Sequence, residues 1–189
     1  RLIATGPSTP AVTLNIDGDE GVLLSVKANL TLDVFGFVQL NGSLAFKKAS
    51  GSFVLTDATT HTSSALANVN YLEVGGHVTS AFAGVGSIGF NLTGVDVGML
   101  MVSTGGATPV NYLALKADVG SASLVGIEGL TATISTLSVQ VNKTSSTASP
   151  NKVLDFVNSA ETINTTDTDA ASRLIATGPS TPAVTLNID

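Results

Sequence analysis

Cysteine and tryptophan are absent from this chain, and charged side chains are scarce. Without cysteine there is no disulfide framework and no thiolate metal site. Charged residues make up 12% of the sequence, about half of the roughly 25% found in an average soluble domain. Solubility therefore falls to hydroxyl and amide groups on strand faces, since Lys and Glu are too few to supply it. The charge that remains is lopsided. Eight Lys and Arg against 14 Asp and Glu leave a net charge of −6 and a pI near 4.6, which excludes the basic patch that nucleic acid requires. Aromatics, at 5%, supply few stacking platforms for sugars. No apolar run reaches the ~18 residues of a membrane-spanning helix, so no membrane insertion is expected. The chain opens at Arg1 without Met or signal peptide, as expected of a segment of a longer protein whose export signal lies elsewhere.

What is present is repetition. The segment Arg173 to Asp189 (RLIATGPSTPAVTLNID) repeats Arg1 to Asp17 letter for letter. The offset, 173 − 1 = 172 residues, far exceeds the roughly 20–50 residues of a solenoid repeat. Each copy is therefore expected to be a domain in its own right, within the usual size of about 100–200 residues. Tandem arrays of such units serve length, spacing or multivalency. Composition divides the period into residues 1–11, a linker from the preceding repeat; 12–157, an all-β repeat domain; 158–183, a Thr-, Asp- and Pro-rich linker; and 184–189, the first strand of the next copy.

The strand signal is periodicity of two. Along residues 22–34, Val22, Leu24, Val26, Ala28, Leu30, Leu32 and Val34 alternate with Ser25, Lys27, Asn29, Thr31 and Asp33, the pattern of a half-buried strand. A turn near Gly36 and a second alternating run from Val38 to Phe46 predict a long antiparallel hairpin with one wet face. Residues 48–51 (KASG) read as a turn, 52–56 as a short strand, and 57–69 as a loop or short helix without clear period. Further strands are expected in YLEVGGHV, AFAGVGSIGFNL, VDVGMLMV, NYLALKADV and LTATISTLSVQVN, with a last short helix or edge strand in KVLDFV. In places the apolar parity switches: Ile88, Phe90 and Leu92 are even, whereas Val95, Val97, Met99 and Met101 are odd. Such a switch means a β-bulge or a strand buried on both faces; Gly94 and Gly98 stand where a bulge or close sheet packing is tolerated. The predicted fold is all-β, an elongated antiparallel β-sandwich or roll with long strands, one domain per repeat.

Chemistry-bearing groups are few. Asp17, Asp19 and Glu20 in NIDGDEG, with Asp167 and Asp169 before the next junction, offer the hard oxygens that Ca²⁺ prefers. Calcium bound there would clamp neighbouring repeats. The competing reading is a solvated acidic turn, because neither EF-hand spacing nor a glycine-rich nonapeptide repeat accompanies them. His61 and His77 are the only histidines, too few and too far apart for a zinc site. His61 lies near Asp57, Ser63 and Ser64, a proximity that a Ser-rich chain produces by accident. No nucleophile elbow, phosphate loop or dinucleotide fingerprint occurs, so no enzyme is expected. Five N-x-S/T sequons, at Asn29, Asn41, Asn91, Asn142 and Asn164, are what this Ser/Thr content yields by chance.

The stretch from Tyr112 to Asn142, above all GSASLVGIEGLT, together with AFAGVG and VDVGMLMV, resembles the long repeats of giant bacterial surface or secreted proteins. That resemblance spans most of residues 20–157 and implies an extracellular or cell-surface location and an adhesin-like, matrix or filament role. It transfers no site residue. The expected function is a structural repeat module, forming a stalk or filament shaft with neighbouring copies as partners. A refinement is that the duplicated VTLNID strand joins the sheet of the adjacent copy. The alternative is an adhesive module acting by avidity on a surface glycan or host receptor. An outer-membrane β-barrel is disfavoured because aromatic girdles are missing.

Overall fold

The structure, a computed structural model, describes residues 1–5, 7, 10–16, 18, 22–34, 36, 38–156, 173–179 and 183–188. Most of them are in strands. Five long strands form an antiparallel meander: β3 (Leu24–Val34), β4 (Val38–Asp57), β5 (Thr62–Val85), β6 (Ile88–Ser103) and β7 (Asn111–Val125). Two strands, β8 (Thr133–Ile134) and β9 (Leu137–Thr144), pair with β7, and β10 (Lys152–Leu154) pairs with β4. Two short hairpins stand apart from this sheet. One joins β1 (Leu2–Ile3) to β2 (Val12–Thr13); the other joins β11 (Arg173–Ile175) to β12 (Val184–Leu186). Both therefore draw on residues that composition assigns to linkers.

The strands are longer than local patterning suggests. At 24 residues, β5 spans roughly 80 Å at about 3.3 Å per residue. The turn expected at KASG is absent, because Ala49, Ser50 and Gly51 continue β4 in pairing with Tyr71, Asn70 and Val69. The next register shift lies between Gly51 and Phe53, opposite Asn68 with its positive φ of 56°. That bulge, with the small Ser, Thr and Ala residues around it, erases the period of residues 57–69. They hold no helix: a turn at 58–61 leads straight into β5. Similarly, AFAGVGSIGFNL is a hairpin about Gly86 and Ser87, and its second half merges with VDVGMLMV into β6. KVLDFV supplies the edge strand β10.

The parity switch in β6 is a bulge. Val78 pairs with Val95 and Ser80 with Thr93, so Thr79 and Gly94 are passed over. Thr93 pairs with Ser121 and Val95 with Val119, passing over Gly120. Gly94 has a φ of 60°, the left-handed conformation that glycine adopts without a Cβ penalty. Following the pairs across to β4, Leu92 aligns through Ala81 with Leu40, and Val95 through Val78 with Gly42. Leu40 and Gly42 are two apart on one strand and share a face. The bulge row thus keeps both apolar sets on one side of the sheet.

At the far end of β4 the sheet rolls round. β10 is hydrogen-bonded to β4, and Asn142 Nδ2 on β9 donates to Leu154 O at 2.7 Å. Phe53, Leu55, Val69, Tyr71, Leu100, Val102, Tyr112, Leu154 and Phe156 line the inside of this roll and form the core with residues of the β11–β12 hairpin. The outer face carries the apolar parity. Val26, Leu44 and Met101 are each about two-fifths exposed, and Leu24 is 55% exposed. The alternation of β3 is therefore real, but its apolar side is not the side that the described residues cover.

Candidate functional site

The most constructed feature of the inner face is a seat for residues 173–188. Its floor is made of small side chains. On β4 to β6, Ala45, Gly75 and Gly98 are paired in adjacent strands, and Ala114 on β7 lies two residues from Lys116, the partner of Gly98. A Cβ on Gly75 would lie 2.0 Å from the carbonyl oxygen of Ala176, and one on Gly98 would lie 2.9 Å from Val184. Only glycine admits the hairpin at this depth. Gly98 thus serves the close packing that its sequence context allows, against a hairpin rather than a second sheet.

Into this floor the hairpin inserts Ile175, Val184, Leu186 and Ile188, each at most 6% exposed. Burying such side chains stabilises docking by about 1.5–3 kcal/mol each. Polar groups fix the register. The Arg173 guanidinium forms a buried ion pair with Glu73 of β5. The same guanidinium lies 4.7 Å from the ring centre of Tyr71 and 5.2 Å from that of Phe53, and the two rings meet edge to face at 5.5 Å. Cation–π attraction and a carboxylate together hold a charge that burial alone would expel. Burial pushes the Tyr71 phenol above its ordinary pKa, with the nearby Arg173 charge opposing that rise. Ser43 Oγ donates to Thr177 O at 2.8 Å, and Thr177 is fully buried. At the rim, Lys116 Nζ donates to Asn187 Oδ1 at 2.9 Å.

The expected strand addition takes a different form. β11 and β12 pair with each other and lie over the faces of β5, β6 and β7, so the hairpin covers the sheet and does not extend its edge. The N-terminal copy folds into the same hairpin in the same register: Leu2↔Thr13 and Ile3↔Val12 match Leu174↔Thr185 and Ile175↔Val184. Yet Leu14 is 45% exposed where Leu186 is 0%, and Ile16 is 71% exposed where Ile188 is 6%. One sequence occupies two environments.

The acidic set read from the sequence, Asp17, Asp19, Glu20, Asp167 and Asp169, lies outside the described residues. Among those described, no three His, Asp or Glu side chains gather as a metal site. His77 Nδ1 meets Asp96 Oδ1 at 2.6 Å across β5 and β6, and Ser138 Oγ donates to Asp118 Oδ1 at 2.6 Å beside it, a polar border to the seat. His61 sits in the β4–β5 turn with its backbone N–H on Asp57 O. The Asp57 carboxylate accepts from the amides of Thr59 and Thr60, which hold its pKa below the ordinary value, and Ser63 Oγ bonds Thr56 Oγ1. Asp57 is thus engaged by the backbone of the turn and Ser63 by Thr56 across the β4–β5 ladder. Asn142, one of the sequons, uses its amide nitrogen on Leu154 O. Sequence reading missed Glu73, Tyr71, Gly75 and Ser43. The signal available was a single Glu in the apolar strand YLEVGG, whose burial demands a cation that the duplicated Arg supplies.

No protein-family model, no curated protein and no solved structure matches this chain.

Proposed function

We propose that this chain is a structural module of a tandem array, a repeat of a giant extracellular bacterial protein that builds a stalk or filament shaft. One observation supports this reading above the rest. Arg173 to Ile188 carry the opening sequence of a following copy, and their side chains complete the core of this one. A segment belonging by sequence to the next unit and by packing to the present one is the connection a continuous array requires. Strands up to 24 residues long suit a spacer, and hydroxyl-rich faces with few charges keep its surface insensitive to salt. Calcium at the Asp17, Asp19, Glu20, Asp167 and Asp169 junction belongs to this proposal as an additional clamp.

The test is the shape of a chain of three periods in solution, by small-angle scattering and electron microscopy, with and without a chelator. The expected result is a rod that lengthens by a constant step per period. Independently tumbling beads, or substrate turnover by the isolated unit, would overturn the reading. Collapse of the rod on chelation supports the acidic clamp, and an unchanged rod removes it.

A further inference from the structure

We infer that the exposed hairpin Arg1–Ile16 is a plug for the inner face of a second copy of this chain, seated there as Arg173–Ile188 is seated here. The inference names the partner within the array reading and rests on it for its biological setting only. The chemistry stands on the two hairpins themselves. They have identical sequence and identical pairing register. Everything the seat recognises in the docked hairpin exists in the free one at a position 172 lower. Arg1 corresponds to the guanidinium held by Glu73, Tyr71 and Phe53. Ile3, Val12, Leu14 and Ile16 correspond to the four buried apolar side chains, and Thr5 to the buried Thr177 whose carbonyl accepts from Ser43.

The free hairpin is already folded, with Arg1 N donating to Leu14 O at 2.7 Å and Thr5 Oγ1 to Pro10 O at 2.8 Å. Docking then needs little further ordering, which is the main cost of binding a loose segment. The hairpin exposes at least two-fifths of each of Ile3, Val12, Leu14 and Ile16 on one face, an apolar stripe on so small an element that marks a binding surface. In the full chain the seat is filled by the chain's own C-terminal hairpin, so the plug of one molecule finds no vacancy on another. Emptying that seat converts the chain into a heterologous, head-to-tail assembler, because plug and seat lie on different parts of the molecule and the contact does not close on itself.

The experiment uses the full chain. Ile175→Asp with Leu186→Asp expels the C-terminal hairpin; size-exclusion chromatography with light scattering is expected to show a monomeric parent and concentration-dependent oligomers of the variant. Adding Ile3→Asp and Leu14→Asp, the same changes 172 residues earlier, returns it to monomers. The 17-residue peptide RLIATGPSTPAVTLNID does the same by filling the seat one to one. Its Arg→Ala form binds about a hundredfold to a few thousandfold more weakly, as loss of one partner of a buried ion pair implies. A folded, monomeric variant that ignores the peptide in calorimetry overturns the inference. If the variant unfolds, recovery of its near-ultraviolet circular dichroism on adding peptide supports the inference, and no recovery at millimolar peptide overturns it. A three-period chain that is a rod while the seat ignores the peptide leaves the array reading standing and removes only the plug.

Discussion

The first and last seventeen residues of this protein are an internal control that few chains provide. Their sequence is the same and their hairpin register is the same, yet one is laid over solvent and the other under a core. Local sequence therefore suffices for the turn and the pairing, while burial is decided by what stands opposite. The difference lies in Glu73, Tyr71, Gly75, Gly98 and Ser43, none of which is in the duplicated segment.

Paired substitutions 172 residues apart sharpen this contrast. The largest effect is expected at the guanidinium. Arg173→Ala leaves Glu73 as a buried unpaired carboxylate and costs about 3–5 kcal/mol in denaturant unfolding, whereas Arg1→Ala, on the exposed copy, changes stability by less than about 0.5 kcal/mol. Equal losses at the two positions would show that the hairpins are equivalent in solution. The next effect is apolar. Leu186→Ala opens a cavity against a fully buried neighbourhood and costs about 2–5 kcal/mol. Leu14→Ala removes a side chain that is 45% exposed and is expected to shift the melting temperature little. Amide exchange resolved along β5 and β6 should quicken around Gly75 and Gly98 in the first variant only.

The smallest effect concerns the β4–β5 turn, whose Ala58 and His61 share the lining of one cavity with Ile188. The amides of Thr59 and Thr60 lower the Asp57 pKa in the folded state. A depressed carboxylate contributes stability that is present above its unfolded pKa and is lost as pH falls through the folded one. Asp57→Asn should remove that acid-side dependence while leaving the docked hairpin's exchange rates unchanged. A change in those rates would mean that the turn and the seat are coupled.

Much of the fold was legible. Alternation located β3, the first part of β4, and β6, β7 and β9. The parity switch at Gly94 announced the bulge, and Gly98 announced a close approach. What alternation does not carry is which side acquires a cover. Leu24, Val26 and Leu44 look like core because they are apolar, yet the covered side opposite them is lined by Ala45, Gly75 and Glu73, residues chosen to be small or to hold one guanidinium. A seat made of absences leaves no hydrophobic pattern to read. Short strands were misjudged for a related reason: in KASG and in residues 57–69 small polar residues break the period, and the single ladder between β4 and β5 carries the backbone through regardless.

The row formed by Thr79, Gly94 and Gly120 has a consequence for how this chain can vary. Because strand side chains alternate strictly, deleting Gly94 alone would turn Ile88, Phe90 and Leu92 to the opposite side of the sheet from Val95 and its successors. Adjacent strands would keep their own extra residue and fall out of step with it. The three positions form a transverse crease that must be inserted or removed as a set. A length change at this row must therefore arrive together in every strand that crosses it.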